Sequence, residues 1–219
     1  MSQPEGTARR QRPYRSTRRR EQAQQTRARI VAAATGQFLA AGYAGTTVRA
    51  VAAAAGVSVP TVELTYGTKA RLLKAAIDVA TAGDDEPVPM LDRAWARRAE
   101  ATRNAGPFAA EFAAALTASA ERAAGLVLAA LDAAPLDEEI AAVAAQMAAQ
   151  REVMAAWLVA GLQRRAALRD GLSHAEAVDT VWLLMDPAVF TRLTRERGWP
   201  PARFRAWFTS AVLRLLLPA

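Results

Sequence analysis

Apolar residues along this chain recur three and four positions apart, which is the spacing of one face of an α-helix. Ile30, Ala34 and Phe38 form such a series and predict a first helix over residues 22–41. Alanine dominates the apolar residues, which make up 52% of the chain, while aromatic residues make up only 6%. Because alanine is the strongest helix former and strand-favouring residues are sparse, we predict an all-α protein.

Glycines and helix-capping residues divide the following segment into short helices. Helices are predicted over 47–54 and 58–64, separated by a turn at Gly56, and a longer connecting helix is predicted over 68–82. Pro60 lies in the first turn of the second short helix, where a missing N–H costs little. Two short helices joined by a glycine turn are typical of a helix-turn-helix, whose second helix can enter the DNA major groove.

Residues 83–87 combine glycine, acidic residues and proline, a composition that predicts a linker. Beyond the linker the pattern predicts long helices only, at about 88–103, 107–133, 136–170, 173–195 and 201–217. We therefore predict three segments: a disordered basic arm (1–21), a three-helix helix-turn-helix DNA-binding domain with its connecting helix (22–83), and a helical ligand-binding and dimerisation bundle (84–219).

The net charge of +7 is confined to one end of the chain. Residues 1–30 hold nine arginines and two acidic residues, which accounts for the whole excess. A concentrated basic arm attracts polyanions, and nucleic acid is the commonest polyanion in a cytoplasm. The alternatives are a solvated tail and a segment that binds anionic lipids. We favour DNA and expect no membrane partner.

The composition also excludes several classes of site. The chain has no cysteine, so disulfides and thiolate metal sites are ruled out, and its single histidine, His174, falls in the first turn of a predicted helix. The consecutive acids Asp84, Asp85 and Glu86 point in different directions and are typical of a solvated loop. We therefore predict no metal site, no cofactor, no catalytic residue and no enzymatic activity. The arginine-rich start lacks the apolar segment of a signal peptide, which favours a cytoplasmic protein.

An ordered set of residues covers the segment from about 25 to 75: Arg27, Ile30, Ala34, Phe38, Gly42, Tyr43, Thr46, Thr47, Val48, Val51, Ala52, Ala55, Gly56, Val57, Ser58, Thr61, Val62, Tyr66, Lys69, Leu72 and Leu73. This set resembles the N-terminal domain of the tetracycline-repressor (TetR) family of bacterial regulators. Residues 84–219 resemble the family in architecture only. Gly198, Trp199 and Pro200, with the Trp-containing last helix, look like those of actinobacterial members.

The resemblance implies DNA contacts at the matching positions. Phosphate contacts would fall to Thr47, Ser58, Thr61 and Lys69; base or sugar contacts to Arg49, Val59, Pro60 and Leu64; and Arg18, Arg19 and Arg20 of the arm would reach the backbone or the minor groove. Two positions depart from the family pattern, because Glu63 replaces a usual tyrosine and Thr65 replaces an aromatic residue or histidine. A carboxylate repels phosphate, so Glu63 points away, pairs with Arg49 or accepts a hydrogen bond from a cytosine amino group.

Two further sets of residues follow from the implied architecture. Candidates for a pocket between facing helices are Trp95, Phe108, Phe112, Leu116, Met147, Met154, Trp157 and Met185, with plain core as the alternative. Candidates for a dimer interface on the last two predicted helices are Val178, Val181, Trp182, Phe204, Trp207, Phe208, Ala211 and Leu215, with burial inside one bundle as the alternative. The excess of apolar groups predicts an apolar or amphipathic effector.

These expectations combine into one functional hypothesis. The chain is predicted to be a homodimeric, ligand-responsive transcriptional repressor that binds a palindromic operator in double-stranded DNA. The alternative is a helical ligand-binding or interaction protein that has lost specific DNA binding, an alternative that Glu63 motivates. An enzyme has no supporting constellation of residues.

Overall fold

A computed structural model describes residues 13–218, and the side chains from residue 18 onward. The described residues form α-helices and no strands, which confirms the predicted fold class. The helices are α1 (Pro13–Gly45), α2 (Val48–Ala55), α3 (Val59–Tyr66), α4 (Lys69–Ala82), α5 (Ala94–Ala101), α6 (Ala105–Ala133), α7 (Glu138–Gln163), α8 (His174–Leu184), α9 (Pro187–Thr191) and α10 (Pro201–Leu216). Short 3₁₀ turns precede α5 and α7, and a π-helical turn follows α9.

Helix α1 is longer than predicted. It begins at Pro13, so residues 13–21 of the predicted disordered arm are helical, while residues 1–12 lie outside the described residues. The extension has no apolar stripe, but four of its nine residues are arginine, which is a good helix former. Extending an existing helix also avoids the cost of nucleating a new one. The predicted stop at Gly42 coincides with a break in the helix, where its φ is 65°.

The short helices begin at the side chains that the sequence indicated. The hydroxyls of Thr47, Ser58 and Thr68 each accept a hydrogen bond from a backbone N–H in the first turn of α2, α3 and α4. Such caps satisfy donors that a helix end otherwise leaves unpaired. Gly56 ends α2 in the left-handed region, with a φ of 64°. These local signals therefore set the boundaries of the N-terminal helices.

The longest helix after α1 is α6, and it forms the centre of the molecule. It packs against α1, α4, α5, α7, α9 and α10. Among the described residues, α6 has the length and apolar composition that could span a membrane, and here six neighbouring helices pack against it. Its C-terminal half, with Leu126 and Ala130, belongs to the same apolar cluster as α1 and α4. Its N-terminal half packs in a second cluster with α7 and α10.

The helices beyond the linker differ from the prediction at three places. Prolines in the segment 87–89 delay α5 to Ala94, and α7 ends at Gln163 rather than near 170. The predicted helix over 173–195 is two helices, because the Asp186 side chain accepts from the N–H of Ala188 at 2.8 Å and Pro187 starts α9. Ser173 and Glu176 form a capping box at the start of α8.

Candidate nucleic-acid interface and central cavity

Helices α2 and α3 form a bent pair joined by three residues. Their axes meet at 107°, within the range of a helix-turn-helix. The inner side of α3 is held by Val62, which is buried, and by Val59 and Tyr66, which are half-buried against the N-terminal core. Its opposite side carries exposed Glu63 and Leu64. The pair therefore presents one face of α3 to solvent while the other face anchors it.

The hydroxyl groups of this region are held in place by local hydrogen bonds. Thr47 Oγ1 accepts from the N–H of Ala50 at 3.1 Å, and the Ser58 and Thr61 hydroxyl oxygens lie 2.8 Å apart. Thr65 Oγ1 donates its proton to the carbonyl of Thr61 at 2.6 Å. Thr47, Ser58 and Thr65 are exposed and Thr61 is half-buried, so their oxygens can accept further hydrogen bonds.

The Lys69 ammonium, a predicted phosphate contact, already has partners within the chain. Its ammonium donates to the carbonyls of Tyr43 at 3.0 Å and Thr46 at 3.2 Å, and it lies 4.0 Å from the centre of the Tyr43 ring. An ammonium has three donors, so one is left for a phosphate. Lys69 thus fastens the start of α4 to the end of α1. Among the predicted base-contacting residues, Pro60 and Arg49 are exposed, whereas Val59 packs partly against the core.

Glu63 forms no ion pair with Arg49, or with another cation, in the part of the chain that the structure describes. The pair with Arg49, one of the three predicted alternatives, is thus not formed in the described structure. Arg18, Arg19 and Arg20 lie exposed on the N-terminal extension of α1. Residues 18–23 are all exposed, so this part of α1 projects as a helix, whereas Gln24 donates to Asp85 at 3.4 Å and the Arg27 carbonyl accepts from Tyr66 at 3.3 Å.

A polar cluster that sequence reasoning missed ties the N-terminal helices to the start of α7. Tyr43 Oη donates to Asp137 at 2.8 Å, and Asp137 also caps α7 by accepting from the N–H groups of Glu139 and Ile140. Thr68 Oγ1 donates to the Glu139 carboxylate at 2.8 Å. Burial, and then the bond to Asp137, raises the pKa of Tyr43, while the Tyr43 hydroxyl holds the pKa of Asp137 below its ordinary value. We name Tyr43, Thr68, Asp137 and Glu139 the α7 junction.

A family model described as bacterial regulatory proteins of the tetR family matches residues 30–76, from the middle of α1 to the middle of α4. The chain carries a TetR-family DNA-binding domain. This match confirms the predicted TetR-type helix-turn-helix domain, and the predicted role in transcription regulation follows from that domain. No curated protein matches the sequence.

Solved structures extend the likeness beyond the TetR domain. NalD, the secondary repressor of the MexAB-OprM multidrug efflux pump in Pseudomonas aeruginosa, is 20% identical, and the match covers 90% of this chain and 97% of that chain with a TM-score of 0.65. FadR from Bacillus subtilis, in complex with stearoyl-CoA, is 14% identical, with 85% and 97% covered and a TM-score of 0.65. A transcriptional regulator from Rhodococcus sp. Rha1 is 14% identical, with 88% and 98% covered and a TM-score of 0.61. At these identities the likeness establishes the fold.

Behind the TetR domain lies a cavity of about 810 Å³, which we name the central cavity. It is bounded by the C-terminal half of α4, the linker over 84–93, the middle of α6 and α7, and residues 185–187. Of the predicted pocket residues, six line it: Trp95, Phe112, Leu116, Met147, Met154 and Met185. Phe108 and Trp157 do not line it and pack behind it, with Trp157 5.6 Å from the Trp95 ring and 5.1 Å from the Phe108 ring.

The wall of the central cavity is apolar and adaptable. Four of the five methionines in the chain line it, including Met90 of the linker, which the sequence did not indicate. Methionine is flexible and polarisable and fills irregular spaces. Trp95 and Arg151, also in the wall, each carry a buried side-chain N–H without a hydrogen-bond partner in the described part of the chain. The cavity therefore has an apolar body, and two unpaired donors are buried within its wall.

Part of the predicted dimer interface is buried inside the single chain. Val181, Phe204 and Phe208 are core residues, so they are not available to a second copy. On α10 the inward stripe is Phe204, Phe208, Val212 and Leu216, and the first two of these had been assigned to the interface. The remaining candidates are Val178, Trp182, Trp207 and Ala211, which are half-buried, and Leu215, which is 43% exposed. Leu183 on α8 is 60% exposed and was missed.

Other polar residues do not assemble into a site. Among residues 13–218 no group of three or more His, Cys, Asp or Glu side chains is placed to hold a metal ion. His174 is exposed, and its Nδ1 lies 2.8 Å from the side-chain oxygen of Gln163 at the end of α7. Asp84 does not stay in solvent alone but pairs with Arg93 at 2.6 and 2.9 Å.

Proposed function

We propose that this regulator is a repressor that binds a palindromic operator as a homodimer and leaves it when an effector fills the central cavity. The observation that carries the proposal is that two helices line the central cavity and also contact the TetR domain. Helices α4 and α7 line the cavity with their middle or C-terminal parts and hold the TetR domain with their N-termini. An effector that moves either helix therefore moves the helix-turn-helix.

The path through α4 is fastened at both ends. At its N-terminus Thr68 bonds to Glu139, and at its C-terminus the Arg122 guanidinium donates to the carbonyls of Ala80 at 2.8 Å and Thr81 at 3.1 Å. Arg122 belongs to α6, so α4 is attached to the central helix as well as to α7. Because packed helices shift as rigid bodies, displacement at the cavity reaches α3 without bending α4.

The effector is an apolar or amphipathic small molecule. A cavity of about 810 Å³ lies within the range that holds drug-sized ligands, and its methionines suit more than one shape. The stearoyl-CoA of the FadR structure is an amphipathic molecule held by a protein of this fold.

The dimer is proposed to form through the outer faces of α8 and α10. These helices pack against each other and expose Leu183 and Leu215 beside the half-buried Trp182 and Trp207. A two-fold pair would set two α3 helices on half-sites one helical turn apart, which is a spacing of about 34–36 Å. The protein acts in the cytoplasm, where its operator is, and the proposal assigns it no enzymatic reaction.

The arginines of the α1 extension supply affinity without sequence preference. A helix is about 10–12 Å wide with its side chains, whereas the minor groove is about 6 Å wide. Arg18, Arg19 and Arg20 are therefore assigned to phosphates rather than to the minor groove. Deleting residues 1–20 is expected to weaken binding to all sequences and to flatten its salt dependence, because fewer counterions are released. Titrations at several salt concentrations measure both effects.

Selection of bound sequences from random DNA tests the proposal. We expect enrichment of a palindrome with half-sites about one turn apart, and its loss in Leu64→Asp, which places a carboxylate on the exposed face of α3. The matched control is Leu136→Asp, because Leu136 is 88% exposed but lies outside the helix-turn-helix. Wild-type protein that enriches no sequence would contradict the proposal and favour the ligand-binding protein without specific DNA binding.

A further inference from the structure

We infer that Glu63 and Leu64 select the operator sequence, Glu63 by accepting a hydrogen bond from a cytosine amino group and Leu64 by packing on the methyl group of a thymine in the neighbouring base pair. The inference rests on the proposed operator binding and assigns the base preference of α3. It follows from the chemical groups that these two side chains expose and from the hydrogen bonds that their neighbours already make.

Leu64 is the most exposed large apolar side chain of the described residues, with 91% of its surface accessible. The other large apolar residues of α3, Val59, Val62 and Tyr66, face the core. An isolated leucine at the centre of a DNA-facing helix gains from contact only with an apolar group. On the major-groove edges of the four bases, the apolar group is the C5 methyl of thymine. Leu64 is therefore a thymine contact.

Glu63 carries a carboxylate, which can accept hydrogen bonds but cannot donate them when ionised. It is exposed, and no cation neutralises it in the described structure. Phosphates repel it, so its partner in a complex has to be a donor on a base edge. Cytosine offers its N4 amino group, while adenine offers an amino group next to the N7 acceptor, which repels a carboxylate. Cytosine is thus the base that fits Glu63.

The hydroxyl side chains around the pair are uncharged and already hydrogen-bonded, so they accept from a base amino group more weakly than the Glu63 carboxylate does. Thr65 has donated its proton to the Thr61 carbonyl, and Ser58 and Thr61 share a hydrogen bond with each other. Successive helix residues lie about 1.5 Å apart along the axis, and base pairs stack about 3.4 Å apart. Glu63 and Leu64 therefore reach the same or adjacent base pairs, and because they need different bases, adjacent ones.

Two substitutions test the two contacts separately in the full-length protein. Sequence selection with Glu63→Gln is expected to move the preference at one position from cytosine to adenine, because glutamine pairs with the N6 and N7 of adenine. Binding of the wild-type protein to its selected operator is expected to weaken roughly fourfold when the assigned thymine is replaced by uracil, which removes only the methyl group. In Leu64→Ala the same replacement is expected to change the affinity by less than about twofold.

The outcomes separate this inference from the proposed function. If Glu63→Gln strengthens binding to every sequence equally, the carboxylate faces phosphate and the inference is wrong. It is also wrong if uracil weakens binding of the wild-type protein and of Leu64→Ala by the same factor. Glu152→Gln is the matched control, since Glu152 is exposed on α7 and away from α3. A wild-type protein that enriches no operator contradicts the proposed function itself.

Discussion

The N-terminal and C-terminal halves of the molecule are filled in different ways. The N-terminal cluster closes around Ile30, Phe38 and Leu73, each with almost no accessible surface. The C-terminal cluster stacks aromatic rings, such as Phe112 on Phe208 at 6.1 Å, and borders the central cavity, which Ile77 and Met147 of the N-terminal cluster also line. A DNA-reading unit needs one fixed geometry, whereas a ligand-binding unit has to adapt to its occupant. The contrast suggests that the first half tolerates changes in volume poorly and the second half tolerates them well.

The largest effect is expected for Phe38→Ala in the N-terminal cluster. Removing a fully buried phenylalanine leaves a cavity and is expected to lower the free energy of unfolding by about 3–5 kcal/mol. Urea denaturation followed by circular dichroism measures this loss, and DNA binding should fall with it. Leu136→Ala is the control, because Leu136 is exposed, and its cost should stay below about 0.5 kcal/mol. Similar losses in both variants would show that the closed core is not what stabilises this half.

A matched pair of enlargements compares the two halves directly. Ala34→Leu adds volume to the closed cluster and is expected to cost about 1–3 kcal/mol. Ala120→Leu adds the same volume to the wall of the central cavity, where there is space, and is expected to change stability by less than about 1 kcal/mol. The filled cavity should also bind an apolar fluorescent probe, N-phenyl-1-naphthylamine, more weakly. Equal destabilisation by both substitutions would remove the distinction between the two halves.

The α7 junction connects the two halves and is tested by Tyr43→Phe. This change removes the hydrogen bond to Asp137 and leaves the aromatic ring against the Lys69 ammonium. The cost is expected to be about 0.5–1.5 kcal/mol at neutral pH. The folded chain raises the pKa of Tyr43, so this stabilisation is present below pH 10 and is lost as the pH rises above it, where the unfolded tyrosine ionises. Denaturation of both proteins at pH 7 and pH 11 should show the difference shrinking. A constant difference would place the effect in packing rather than in the hydroxyl.

The smallest effect is expected at the linker. Hydrogen bonds from Arg93, and then one from the N–H of Glu86, lower the pKa of Asp84 to about 2. The stabilisation from this ion pair is present above about pH 4 and is lost as the pH falls towards 2. Unfolding midpoints of Asp84→Asn between pH 6 and pH 2 should therefore fall less steeply than those of the wild type. Asp132→Asn, an exposed acid on α6, should keep the wild-type slope.

The same contrast between the halves explains how much could be predicted from the sequence. The N-terminal boundaries follow from local chemistry, since Thr47, Ser58 and Gly56 act within one turn of their own positions. The bond between Tyr43 and Asp137 joins residues 94 positions apart, and no local pattern indicates it. Asp186 followed by Pro187 is a helix-start signal, but the apolar spacing on both sides of it predicted one continuous helix.

The dimer candidates show a different limit. Helix α10 carries two apolar stripes, one with Phe204 and Phe208 and one with Trp207 and Leu215, and both repeat at helical spacing. Periodicity identifies the stripes but cannot say which of them the rest of the chain covers. The cavity residues were easier, because bulky side chains in facing helices collect around the space that they fail to fill.

The apolar cluster that α6 and α7 share with the N-terminal helices bears on how such regulators can be recombined. Leu126, Ala130, Ala133 and Ile140 complete a core whose other buried members come from residues 30–77. A chimaera joined at the linker would leave that core open on one side, although the linker is where the sequence predicts the domain boundary. The DNA-binding unit with its complete core is therefore discontinuous in sequence. Exchanging effector domains between regulators of this kind should succeed when the segment around residues 126–140 travels with the DNA-binding helices.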